Sequence, residues 1–142
     1  MNPCIDYFCI VGPSGESNSP RIIAHLPKNV MWNKWDNEAQ LGVLCLPQGC
    51  RERPSNQIDD TNFHSFMWTK EDSQISWAHS LEFWNPSGGL SHSIVMISTR
   101  PIILSVKYFL RSIYKYVLKD GVSLDSLAKL LGFFFCLTDS SR

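Results

Sequence analysis

The sequence predicts an α/β fold: an antiparallel sheet, with helices following the strands and packed against them. Three observations carry this reading. Short apolar or alternating runs, separated by Pro, Gly and polar turns, recur from the N-terminus to residue 98. Phe63-His-Ser-Phe-Met-Trp-Thr69 and Ile75-Ser-Trp-Ala-His-Ser-Leu-Glu-Phe-Trp84 flank the polar turn Lys70-Glu-Asp-Ser-Gln74 as the arms of a hairpin. From Pro101 onward the apolar spacing changes from that of a strand to that of a helix.

Residues 5–11 are apolar and aromatic and end at Gly12-Pro13-Ser14-Gly15. Arg21-Ile-Ile-Ala-His-Leu26 is a second run, stopped by Pro27, and the two pair naturally as a hairpin. Residues 28–40 are mixed, with Asn33 and Lys34 separating Val30, Met31 and Trp32 from Trp35, which predicts an irregular crossing with a single helical turn over 36–40. Leu41-Gly-Val-Leu-Cys-Leu46 reads as a short buried strand closed by Pro47-Gln48-Gly49. The charged stretch 50–62 reads as a solvated loop.

In the run 63–69, Phe63, Ser65, Met67 and Thr69 share one face, and His64, Phe66 and Trp68 the other. Strong β-formers on both faces predict a central strand. In 75–84 the face bearing Ile75, Trp77, His79, Leu81 and Phe83 is expected to be buried, with Ser76, Ala78, Ser80, Glu82 and Trp84 opposite. Pro86, Gly88 and Gly89 mark a connector, and no Lys-Ser/Thr follows to make it a phosphate loop. Residues 92–98 form another buried-type strand.

Ile102, Ile103, Val106, Phe109, Leu110, Ile113, Tyr114 and Val117 recur at helical spacing as one apolar stripe. Thr99 is the expected N-cap and Pro101 suits the first turn. Lys107, Arg111, Lys115 and Lys119 line the far side four apart, without acidic partners between them. They are a solvated face or, on the sharper reading, a stripe for an acidic membrane surface or acidic partner. Asp120-Gly121 breaks this helix, and Ser123 caps a second over 123–131. Gly132-Phe-Phe-Phe-Cys-Leu137 is hard to bury from so short a segment: it either docks into a hydrophobic groove or is the end of a truncated product, and the second reading is favoured.

Thirteen basic residues balance thirteen acidic ones, so bulk charge gives no support for nucleic-acid binding. The five cysteines are an odd number, and no signal-peptide pattern opens the chain, which favours free thiols over a disulfide framework. The histidines and cysteines lack metal-ligand spacing, so no metal site is expected. No nucleophile elbow or close carboxylate pair occurs, so no conventional catalytic residues are assigned. Trp35, Trp68 and Trp84 are the candidate partner contacts, because Trp is frequent in binding hot spots. The plainer reading has them covering the second face of the sheet.

The order of these pieces resembles a known family. Asp6-Tyr-Phe-Cys-Ile-Val-Gly12, the strand from Arg21, Val30-Met-Trp-Asn-Lys-Trp-Asp36, Leu44-Cys-Leu-Pro-Gln-Gly49, Phe63-His-Ser-Phe-Met-Trp-Thr-Lys-Glu-Asp72 and Leu81-Glu-Phe-Trp84 together resemble the upstream (uDENN, longin-like) lobe of a DENN module. Ser98-Thr-Arg-Pro101 and the helix with Ser105, Val106, Phe109, Leu110 and Tyr114 look like the opening of the central DENN lobe. The resemblance implies a longin-like antiparallel sheet flanked by helices over 1–98, with 99–142 as the truncated start of the second lobe. It implies Rab GTPase binding and guanine nucleotide exchange in membrane trafficking, without a cofactor, by a cytoplasmic protein that is peripheral on endomembranes. The GTPase would sit between the two lobes, its switch regions gripped and its Mg²⁺ and nucleotide loosened. The alternative is a non-catalytic adaptor for a trafficking partner or an acidic membrane surface. Two departures stand out: Ile75-Ser-Trp-Ala-His replaces a glycine-containing hairpin, and Gly132-Phe-Phe-Phe replaces a proline-containing continuation.

Overall fold

The structure, a computed structural model, describes residues 5–14, 17–26, 35–69, 75–84 and 88–115. Seven elements follow in the order β1 (Ile5–Ser14), β2 (Ser17–Leu26), α1 (Trp35–Cys45), β3 (Thr61–Thr69), β4 (Ile75–Phe83), β5 (His92–Ser98) and α2 (Ile103–Ile113). The strands form one five-stranded sheet in the order β2-β1-β5-β4-β3, and every pairing is antiparallel. The two hairpins expected from sequence are present. The first is longer than expected, because its strands continue through Pro13 and Pro20, which pair with each other.

The sheet is covered on both faces. Phe8, Ile10, Leu81, Phe83, Ile94 and Met96 point to one side, where Val106, Leu110, Ile113 and Tyr114 of α2 close over them. Tyr7, Cys9, Val11, Ala78, Val95 and Ile97 point to the other, under Leu41, Cys45 and Leu46 of α1 and the turn beyond it. The alternation of side chains along each strand therefore feeds two separate cores.

Three sequence expectations change here. The run Leu41–Leu46 is the end of a helix rather than a strand. Leu41, Gly42, Cys45 and Leu46 are buried while Val43 and Leu44 are exposed, a period near 3.6 that a six-residue run shows only weakly. Second, β3 is an edge strand, paired with β4 alone, and β5 takes the centre. Its residues on both faces have layers to meet, α2 beyond Phe63 and α1 beyond Phe66, so two apolar faces signalled coverage rather than lateral position. Third, β4 buries Ser76, Ala78, Ser80 and Glu82 as fully as the face expected to be inside.

The helix after Pro101 begins at Ile103, with Ile102 at the N-cap position and no side-chain cap. Thr99 does not cap it. Ser98 stays paired with Trp77 and Ile5 in the sheet, and its hydroxyl donates to the Arg100 carbonyl at 2.6 Å, so 99–102 are used in turning off the strand. Val117, Lys119 and the helix expected over 123–131 lie outside the described residues.

Candidate functional site

A cleft of about 310 Å³, with polar groups converging on it, lies at the C-terminal end of α1. Sequence dictates its shape. Leu46 N–H closes back on the Gly42 carbonyl at 3.0 Å, and Gly49 N–H bonds the Leu46 carbonyl at 2.9 Å across Pro47-Gln48. Pro47 presets the turn backbone, and Gly49 adopts φ +75°, a left-handed conformation that glycine takes without a Cβ penalty. Leu-Pro-Gln-Gly thus stops the helix and reverses the chain over β4.

Arg51 is then fixed from several directions. Its backbone N–H donates to Ser91 Oγ at 3.1 Å, and its carbonyl accepts from Ser91 N–H and Trp84 Nε1, both at 2.8 Å. Its guanidinium lies 5.7 Å from the centre of the Trp84 ring and donates to both carboxylate oxygens of Glu82, at 3.2 and 3.4 Å. Asn62 Nδ2 donates to the same carboxylate at 3.2 Å. Glu82 is only 7% exposed, so its charge is held by donors from the loop and from β3 rather than by water.

The rim above carries His64, whose Nε2–H donates to the Leu44 carbonyl at 2.9 Å and satisfies one of the orphan acceptors at the end of α1. Beneath it, Ser80 Oγ donates to the Cys45 carbonyl at 3.0 Å and lies 2.5 Å from Ser93 Oγ. The Ser80 proton is committed to that carbonyl, so Ser93 is the donor in the hydroxyl pair. The Cys45 thiol is buried, and that burial pushes its pKa up to about 12. Cys50 is raised too, first by burial and then by the negative Glu82. Neither is a poised nucleophile. The cleft has a neutralised ion pair at its base, with the exposed apolar pair Val43 and Leu44 on the adjacent ridge of α1.

A second polar line runs through the opposite core. His79 Nδ1 and Nε2 lie 2.9 Å from Ser65 Oγ and Ser98 Oγ respectively. Ser98 spends its proton on the Arg100 carbonyl, so His79 Nε2–H donates to Ser98 and Nδ1 accepts from Ser65. The ring is fully buried, both nitrogens are used, and burial lowers its pKa to about 4. This Ser–His–Ser line ties β3, β4 and β5 together.

Of the three candidate tryptophans, Trp84 is 4% exposed and props Arg51 from inside, so it cannot touch a partner directly. Trp35 opens α1 and Trp68 lies in β3 opposite Ser76, and their side chains fall outside the described residues. Lys107 is half-buried with Nζ 5.8 Å from the centre of the Phe63 ring, whereas Arg111 and Lys115 are exposed. Sequence reasoning missed the Arg51–Glu82–Asn62 cluster. Its signal in the sequence is the one carboxylate inside an otherwise uncharged strand, Glu82, which lies opposite the face expected to be buried.

Among the described residues, the five-stranded antiparallel sheet with a helix on each face is an α/β fold consistent with a longin-like sheet. Residues 20–83 match the family model of the uDENN domain. The matched stretch runs from β2 to the end of β4 and includes α1 and the whole cleft wall. That match is consistent with the upstream lobe of a DENN-domain protein.

Proposed function

We propose that this chain acts as the upstream lobe of a DENN module, binding a Rab-type small GTPase and contributing to GDP release during membrane trafficking. The observation that supports it is the uDENN match over 20–83, laid on a sheet whose matched part carries an exposed apolar ridge beside a polar cleft. We assign the GTPase to that side: Val43 and Leu44 supply apolar contact, and Gln48 and His64 supply the polar rim. Exchange of this kind asks for a docking surface and no nucleophile, in keeping with thiols held protonated by burial. The test is release of labelled GDP from a panel of Rab GTPases, with the chain alone and with a central lobe supplied separately. Acceleration in either arm, lost in Val43→Glu/Leu44→Glu, supports the reading. Neither binding nor acceleration in both arms overturns it. Binding without acceleration in either arm leaves the second reading, a non-catalytic adaptor that uses the same ridge.

A further inference from the structure

The opposite side of the sheet bears a feature that the GTPase contact proposed above, on the α1 side, does not use. No acidic residue lies between Glu82 and Asp120, while Arg100, Lys107, Arg111, Lys115 and Lys119 do. The rest of the chain then holds eight basic residues against thirteen acidic ones, so a chain of zero net charge is segregated by sign. The basic segment includes α2. Val106, Leu110 and Ile113 define the buried side of that helix, and at 3.6 residues per turn its outer crest falls on Leu104, Tyr108 and Arg111. Exposure agrees: Leu104 is 66% and Tyr108 63% accessible, and Arg111 and Lys115 are exposed.

We propose that the crest of α2 is a docking surface for an anionic lipid membrane. Three features favour a bilayer over an acidic protein segment. Among the described residues, the surface is the outer ridge of a single helix lying on a sheet, which offers a flat surface something to press against. The exposed groups are an aliphatic chain, a tyrosine and cations, a combination suited to the headgroup boundary. The helix is 11 residues long and its inner side is committed to the core, so contact is peripheral; no helix among the described residues is long and apolar enough to cross a membrane. α1 and its cleft lie on the other face of the sheet, so a lobe resting on α2 holds the cleft away from the lipid.

Sedimentation of the full chain with phosphatidylcholine vesicles, with and without phosphatidylserine, tests this. Binding is expected only with phosphatidylserine and is expected to weaken as salt is raised. Each Lys or Arg near such a surface is worth roughly five-fold in partitioning, so Arg111→Glu/Lys115→Glu is expected to lower it by at least about ten-fold. Leu104→Ser/Tyr108→Ser is expected to weaken it several-fold. All four side chains are exposed, so both variants should remain folded, as thermal melting checks, and binding of a GTPase on the α1 side should survive both. Equal binding to both vesicle types, or indifference to the charge reversal, overturns the proposal. Retention on a polyglutamate matrix without vesicle binding, lost on charge reversal, overturns it in favour of an acidic protein partner.

Discussion

Arg51 and Glu82, thirty-one residues apart in sequence, meet at 3.2 Å and join the turn after α1 to the end of β4. The pair closes the base of the cleft, and Trp84 carries both its ring and its indole N–H toward the same arginine. One ion pair therefore fixes the relative position of a helix terminus, a loop and two strands.

Arg51→Met keeps most of the side-chain stem and removes the charge. Glu82 is then left with Asn62 as its described donor. Hydrogen bonds to charged groups contribute about 1.5–3 kcal/mol, and the Arg51 side chain remains 29% exposed, which places the expected loss near the lower end. Urea unfolding of Arg51→Met, Glu82→Gln and the double variant should give a coupling of about 1 kcal/mol. Additive single effects would show that the two side chains do not act as a pair.

Gly42 sets how closely α1 approaches β2. A Cβ there would lie 2.8 Å from the Pro20 carbonyl oxygen, a backbone atom that cannot swing aside. Alanine in a helix interior is normally favoured over glycine by about 1 kcal/mol. Here the clash should win, and Gly42→Ala is expected to destabilise the chain by about 1–3 kcal/mol, the usual range for overpacking. A melting temperature equal to or above that of the parent would show that helix and strand are not in this close contact.

The sheet's hairpins and the core stripe of α2 were legible in the sequence because each rests on local periodicity. Val106, Leu110, Ile113 and Tyr114 are buried as their spacing requires, while Ile103 and Phe109 on the margins of that stripe stay partly exposed. What was not legible depends on which layer lies beyond a face. Alternation in β4 cannot say that Ser80 and Glu82 lie under α1, since polar residues opposite an apolar face ordinarily mean solvent. The cleft has the same character: Arg51 in a charged loop and Glu82 in a strand become a site only once the turn at Gly49 folds one over the other. Lateral strand order was equally silent, because β3 and β5 both look apolar on two sides and only pairing separates edge from centre.

The described cysteines should be inert while the protein is folded. Cys9, Cys45 and Cys50 are all buried. At a pKa of about 12, roughly one Cys45 thiol in ten thousand is ionised near pH 8, and burial denies reagents access as well. Iodoacetamide labelling read by peptide mass spectrometry should find these three unmodified in the native chain and modified in denaturant. Rapid native labelling of Cys45 would mean that the C-terminal turn of α1 opens readily from the sheet.

Stability should fall as the solution is acidified, and His79 sets much of the slope. Burial lowers its folded pKa to about 4, against an ordinary value of 6.5. Between those values the unfolded chain binds more protons than the folded one, so acid favours unfolding. The stability present above pH 6.5 is lost as pH falls through that window, and the loss levels off once the folded ring itself protonates. Its size follows from the gap in pKa and comes to about 3 kcal/mol in full. His92 is also lowered by burial and adds in the same direction. In His79→Gln the amide can still donate toward Ser98 and accept from Ser65 but cannot titrate, so denaturant unfolding should show a flatter profile between about pH 7 and pH 5. A Gln variant with the full parental slope would place the titrating group elsewhere and leave the Ser65–His79–Ser98 line without a role in acid sensitivity.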